Sequence, residues 1–149
     1  MATSVRSVRV VPYERDFAAW AEAQAEALRA GRLDALDLVH LAEEIADLIN
    51  RERDALEPRL ETLLLHLLKW RYQPARRSRS WEATIKIARR NVAKLLRRSP
   101  SLRPGLGASL DEIWPNARTR AAVATRLPEN AFPELCPFTL DQVTGEWLP

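Results

Sequence analysis

Apolar residues in this chain recur at steps of three and four, and nowhere do they alternate in the two-residue rhythm of a half-buried strand. That periodicity commits the backbone to helices. Phe17, Trp20, Ala21, Ala27 and Leu28, with Gln24 in register, mark a first helix running from Tyr13 to a stop at Gly31. Leu38, Leu41, Ala42, Ile45, Leu48 and Ile49 line one face of a second helix, which Asp34 or Asp37 can cap and whose other face is acidic. Asn50 can cap a third helix reaching to about Tyr72. Its stripe of Leu56, Leu60, Leu63, Leu64 and Leu67, widened by Leu65 and Leu68, is apolar nearly all round and makes it the central helix. Pro58 cannot donate to the carbonyl of Asp54, so it either kinks this helix or marks its first turn.

Gln73 to Ser80 reads as a linker, and from Ser78 or Ser80 a fourth helix carries Trp81, Ile85, Ala88, Val92, Leu95 and Leu96 on one side until Ser99, Pro100 and Ser101 end it. Residues 102–127 are helical again, with Pro104, Gly105 and Gly107 weakening the start and Pro115 bending or dividing the rest. The tail contains one short helix, capped by Thr139 and running from Leu140 to about Val143, and wraps the bundle through Phe132, Phe138 and Trp147. These readings give an all-α fold: a single-domain helical bundle of about five or six helices over residues 13–149, with an irregular C-terminal tail and a flexible arm over residues 1–12. A chain of 149 residues fits one such domain.

Charge is distributed far less evenly than hydrophobicity. Residues 69–103 hold twelve Lys and Arg against one acid, Glu82, a net +11, whereas residues 1–68 are net −5 and residues 104–149 net −3. A field this concentrated attracts phosphate or a negative protein surface. The lone Cys136 excludes an internal disulfide and, with no signal-peptide or membrane-span pattern in the sequence, points to a cytoplasmic protein.

Five strings occur together and in order: YERDFAAWAEAQAEALRAGRLDALD, LAEEI, LLHLLKWRYQP, SRSW and FPELCPFTLDQV. As a set they resemble the bacterial domain-of-unknown-function family 29, over nearly the whole chain from Tyr13. The resemblance implies a small, helical, cytosolic bacterial protein. It brings no activity and no functional residues with it.

The fourth helix, projected at 100 degrees per residue, places Lys86, Arg90, Lys94 and Arg97 in a stripe opposite its apolar face, flanked by Arg89 and Arg98. Arg76, Arg77, Ser78, Arg79 and Ser80 lead into the helix start, where free backbone amides and the positive end of the dipole would add to guanidinium contacts with an anion. The candidate anion-binding set is therefore Arg76, Arg77, Arg79, Ser80, Lys86, Arg89, Arg90, Lys94 and Arg97, and the expected partner is a nucleic acid or an acidic protein surface. The competing reading leaves the stripe solvated, or pairs it with Glu43, Glu44 and Asp47 of the second helix, within the chain or in a homo-oligomer. Trp70, Tyr72 and Trp81 flank the arginine-rich linker. Trp70 and Trp81 fall on apolar faces, which leaves Tyr72 as the ring open to base stacking.

Other constellations are weaker. Arg59 and His66, two turns apart with Thr62 between them, resemble the arginine and histidine of small helical-bundle ribonucleases, yet a histidine within LLLHLL is ordinarily a core residue donating to a carbonyl. His40, Glu43, Glu44 and Asp47 offer oxygen and nitrogen ligands on one helix, without the second Glu-x-x-His that a di-metal bundle needs. Cys136 has no base near it in sequence and reads as a small buried thiol. The chain carries no catalytic signature, no recognised nucleic-acid motif and no cofactor or metal motif, so binding without catalysis is the expectation.

Overall fold

The computed structural model describes residues 12–149; the first eleven residues of the expected N-terminal arm, with Val8, Val10 and Val11, lie outside the described residues. Among the described residues the structure is all-helical, without a strand: α1 (Phe17–Arg29), α2 (Leu38–Tyr72), α3 (Arg79–Arg98), α4 (Leu106–Thr125) and α5 (Leu140–Thr144), joined by short 3-10 turns. The chain divides into two compact units, Met1–Asn50 and Arg51–Pro149, and the division falls inside α2.

In the first unit, α1 begins later than the periodicity indicates. Asp16 takes the cap, its carboxylate accepting from the Ala19 amide at 3.0 Å, so Tyr13 to Arg15 form a turn outside the helix. Gly31 ends the helix with φ +67°, a left-handed conformation that glycine adopts without a Cβ penalty. Of the two candidate caps for α2, Asp37 serves: its Oδ1 accepts from the His40 amide at 3.3 Å.

The second and third helices expected from sequence are one helix of 35 residues. Asn50 does not cap, because a polar residue in a helix interior costs only about 0.7 kcal/mol and neither Gly nor Pro stands near it to break the turn. Pro58 lies within the same helix. Pro58 and Asp54 are both exposed, so water can satisfy the carbonyl that proline leaves unpaired. Pro115 is accommodated within α4 in the same way, on the solvent side with Asp111 exposed four residues earlier.

The hydrophobic core belongs to the second unit. Leu60, Leu63, Leu64, Leu67 and Leu68 of α2 are buried, together with Ile85 and Val92 of α3, Leu106, Trp114 and Ala117 of α4, and Phe132, Phe138 and Val143 of the C-terminal segment. Each such large side chain contributes about 1.5–3 kcal/mol through removal from water. The Trp114 indole reaches the Pro133 and Glu134 carbonyls at 3.2 and 3.1 Å, tying the segment after α4 to that helix. α5 is closed by a capping box between Thr139 and Gln142. At Gly145 a Cβ would stand 2.5 Å from the Asp141 carbonyl oxygen, so only glycine lets the chain leave α5 this tightly. Phe132 and Phe138 bury as expected of the tail; Trp147 stays 40% exposed, its ring 5.9 Å from that of Phe138.

Candidate anion-binding site

α3 forms where a cap, a first-turn acid and a last-turn pair of bases agree. Ser78, not Ser80, is the N-cap, its hydroxyl accepting from the Trp81 amide at 3.2 Å; Glu82 lies in the first turn and Arg97 and Arg98 in the last. Ser80 sits inside the first turn, where its carbonyl accepts from the Thr84 hydroxyl at 2.9 Å. The Glu82 carboxylate already complements the positive end of this helix, and Lys86 at 2.7 Å and Arg79 hold its carboxyl below the usual range. An incoming anion at the start of α3 would meet that carboxylate, so the amide contribution expected there is taken up by the chain itself.

The sequence-derived cations then separate by what they touch. Arg89 is a structural residue: half-buried, it donates from Nε to Val143 O at 3.0 Å and from one amino group to Gln142 O at 2.9 Å and Trp147 O at 2.5 Å. Those carbonyls lie at the end of α5 and just after it, so this one guanidinium ties the C-terminal segment to α3. Burial lowers its pKa and Glu146 raises it. Arg77 is held as well, with Nε on the Trp70 carbonyl at 2.9 Å, an amino group on Pro149 O at 3.4 Å, and the guanidinium 5.1 Å from the centre of the Trp70 ring. Lys86 is paired with Glu82 one turn away, and Arg98 with Glu52 at 2.9 Å, where Ser99 also donates to the same carboxylate.

Arg76, Arg79, Arg90, Lys94 and Arg97 are exposed, and among the described residues no carboxylate stands within 4.0 Å of any of them. Arg90, Lys94 and Arg97 follow one another at four and three residues on one side of α3. At a rise of 1.5 Å per residue that stripe is about 10 Å long, the length of about three phosphates along one nucleic-acid strand. Beside it a shallow groove of about 210 Å³, lined by Val92, Leu96, Arg97 and Arg103 with no carboxylate in its wall, extends the cationic surface past the end of the helix. Arg103 was not among the candidates, although it is the last base of the charge block; its place beyond the helix hides the neighbourhood from helical projection. A larger groove of about 580 Å³ between α3 and the C-terminal segment contains Lys86, Arg89 and Arg90, but Glu82 and Glu146 line it too.

The rings that flank the arginine-rich linker are engaged within the chain. Tyr72 is half-buried against Phe132 at 4.8 Å, contrary to the expectation of an open ring, because the C-terminal segment returns to the end of α2. Trp81 carries the Lys69 ammonium 4.3 Å over its ring; burial and the nearby Arg76 lower the pKa of Lys69. His66 is half-buried, donating from Nδ1 to the Thr62 carbonyl at 2.9 Å, and Arg59 is exposed. Burial, with Lys69 and Arg120 nearby, lowers the pKa of His66. The Cys136 thiol donates to the Phe138 carbonyl at 3.6 Å, and burial raises its pKa.

His40, which the sequence offers as a nitrogen ligand without a metal motif around it, belongs to a cluster in the first unit. Its ring stacks on Tyr13 at 4.1 Å, Nδ1 lies 2.6 Å from Asp37 Oδ2, and Nε2 lies 3.6 Å from Glu14. The Trp20 indole donates to the same Asp37 oxygen at 3.2 Å, and the Tyr13 hydroxyl donates to Glu44 at 2.5 Å. Among the described residues no group of three His, Cys, Asp or Glu side chains is arranged to hold a metal ion. The Asp-x-x-His spacing at a helix start, beside LAEEI, was the available signal for this cluster.

The described residues define a small all-helical protein. Residues 12–148 match the family described as Domain of unknown function DUF29, and the chain belongs to that family. No curated protein and no solved structure matches it. Among the described residues no helix is long and apolar enough to cross a membrane.

Proposed function

We propose that this protein is a non-enzymatic binding module whose α3 engages the phosphate backbone of a nucleic acid. The observation that carries the reading is the row Arg90, Lys94 and Arg97, exposed and without a carboxylate partner, with Arg76, Arg79 and Arg103 as further exposed cations. Free cations in a row track a polyanion, and the rings flanking the arginine-rich linker are already engaged by Lys69, Arg77 and Phe132. Recognition on this reading is electrostatic and independent of sequence. The lone Cys136 fits a reducing cytoplasm as its setting.

Fluorescence anisotropy with labelled RNA and duplex DNA across a salt series tests it. Nonspecific affinity of about 10⁻⁴ to 10⁻⁶ M is expected at physiological salt, with log affinity falling against log salt at a slope near −5 if about six phosphates are contacted. Absence of binding at low salt removes the proposal. Equal binding of polyglutamate and nucleic acid transfers it to an acidic protein surface.

A further inference from the structure

We infer that the cavity between the second half of α2, the 3-10 turn Pro100–Gly105 and α4 is a binding site for a dibasic α-amino acid such as lysine or ornithine. The cavity holds about 340 Å³, within the size range of small-molecule sites. Its apolar lining is Leu56, which is buried, and Leu102, which is half-buried. Three charged side chains, Arg53, Glu57 and Glu112, line it as well, and the whole site lies within the second unit.

These charges converge without neutralising one another. Arg53 and Glu57 stand four residues apart on α2, the spacing at which opposite charges meet along a helix. Yet among the described residues no carboxylate lies within 4.0 Å of the Arg53 guanidinium, and no base within 4.0 Å of Glu57 or Glu112. Elsewhere in this unit acids close on the bases that face them, Glu82 on Lys86, Glu52 on Arg98 and Glu61 on Arg120. Ser109, also in the wall, donates to the Gly105 carbonyl at 3.2 Å, so its oxygen is left to accept from a ligand. The wall therefore offers one guanidinium against two carboxylates and an acceptor hydroxyl. A ligand that answers all of them carries one carboxylate for Arg53, two ammonium groups for Glu57 and Glu112, and methylenes to lie against Leu56 and Leu102. That composition is a dibasic amino acid. A polyanion meets two carboxylates here, which sets this cavity apart from the row on α3 and makes the inference independent of nucleic-acid binding.

The test titrates the full chain at low, matched ionic strength and follows its backbone amide NMR shifts. The probes are L-lysine, cadaverine, which lacks the carboxylate, and L-norleucine, which lacks the side-chain ammonium. Lysine is expected to bind with a Kd of about 1 mM, as about ten non-hydrogen atoms supply at ordinary ligand efficiency. It should shift amides near Arg53, Glu57, Ser109 and Glu112 and exceed each analogue in affinity by about threefold. Arg53→Gln should erase the preference over cadaverine, and Glu57→Gln plus Glu112→Gln the preference over norleucine. All three side chains are exposed, and circular dichroism verifies folding. Absence of a saturable shift at about ten times that lysine concentration, equal binding of the three probes, or preferences that survive the variants overturn the inference.

Discussion

Residues 12–50 and 51–149 solve the same problem in opposite ways. The larger unit buries the leucines of the second half of α2 with Trp114, Phe132 and Phe138 and keeps most of its cations outside; the smaller one joins its elements through Tyr13, Trp20, Asp37, His40 and Glu44 and leaves Leu38, Ile45 and Ile49 in water. One is held by area removed from solvent, the other by directed polar contacts among rings and carboxylates. The difference teaches that an amphipathic stripe states which face is apolar, not that anything covers it.

The largest effect that could break this contrast is in the cores. Leu64→Ala is expected to destabilise the second unit by about 2–5 kcal/mol, whereas Ile45→Ala, on an exposed face, is expected to stay within about 0.5 kcal/mol; denaturant titration measures both. Comparable losses would show that the face of Ile45 is covered in solution. Arg89→Ala should cost about 1.5–3 kcal/mol, since three carbonyls lose a charged donor. Hydrogen exchange should then rise first in residues 140–149, and uniform loosening would deny that Arg89 acts as a local tie.

Next comes the salt response of nucleic-acid binding. Removing Arg90, Lys94 and Arg97 together should flatten the slope by about 3 and weaken RNA and DNA alike, while Glu43→Lys in the other unit should leave that slope within error of the wild type.

The two histidines give the smallest and sharpest contrast. The hydrogen bond to Asp37, with Glu14 and Glu43 adding to it, holds His40 above its ordinary value near 6.5, and burial holds His66 below it. His40 therefore stabilises its unit fully below about pH 6.5, and that contribution is lost as pH rises through its folded-state pKa. His66 has the opposite sign: its contribution is present above about pH 6.5 and is lost as pH falls through its lowered pKa. NMR titration of both rings should show them on opposite sides of 6.5, with Asp37→Asn bringing only His40 down. The Tyr13 hydroxyl, bonded to Glu44, is pushed up to about 12 from 10.0, so its contribution persists below pH 10 and disappears by about 12. Tyrosinate absorbance in a Tyr72→Phe background reads this directly, and Glu44→Gln should lower the value.

Much of this was legible in the chain. The leucine stripe from Leu56 to Leu68, the Ser78 and Thr139 caps and the Gly31 stop all stand where spacing places them, because they depend on neighbours within one or two turns. Helix ends next to proline and asparagine were less legible. Pro58, Pro115 and Asn50 interrupt no helix, because solvent satisfies what proline leaves unpaired and asparagine loses little in a helix interior. Arg89 was indistinguishable from Arg90 in sequence, and only the return of residues 142–147 gave it carbonyls to hold.

By itself, the order of residues determined an all-helical chain, a leucine-lined central helix and a mid-chain excess of cations, all properties of local periodicity and composition. Tertiary structure decided which cations remain free, which ring is covered and which apolar stripe stays in water. Those outcomes depend on groups brought together from distant parts of the sequence, and a short-range pattern carries no information about who its eventual neighbours will be.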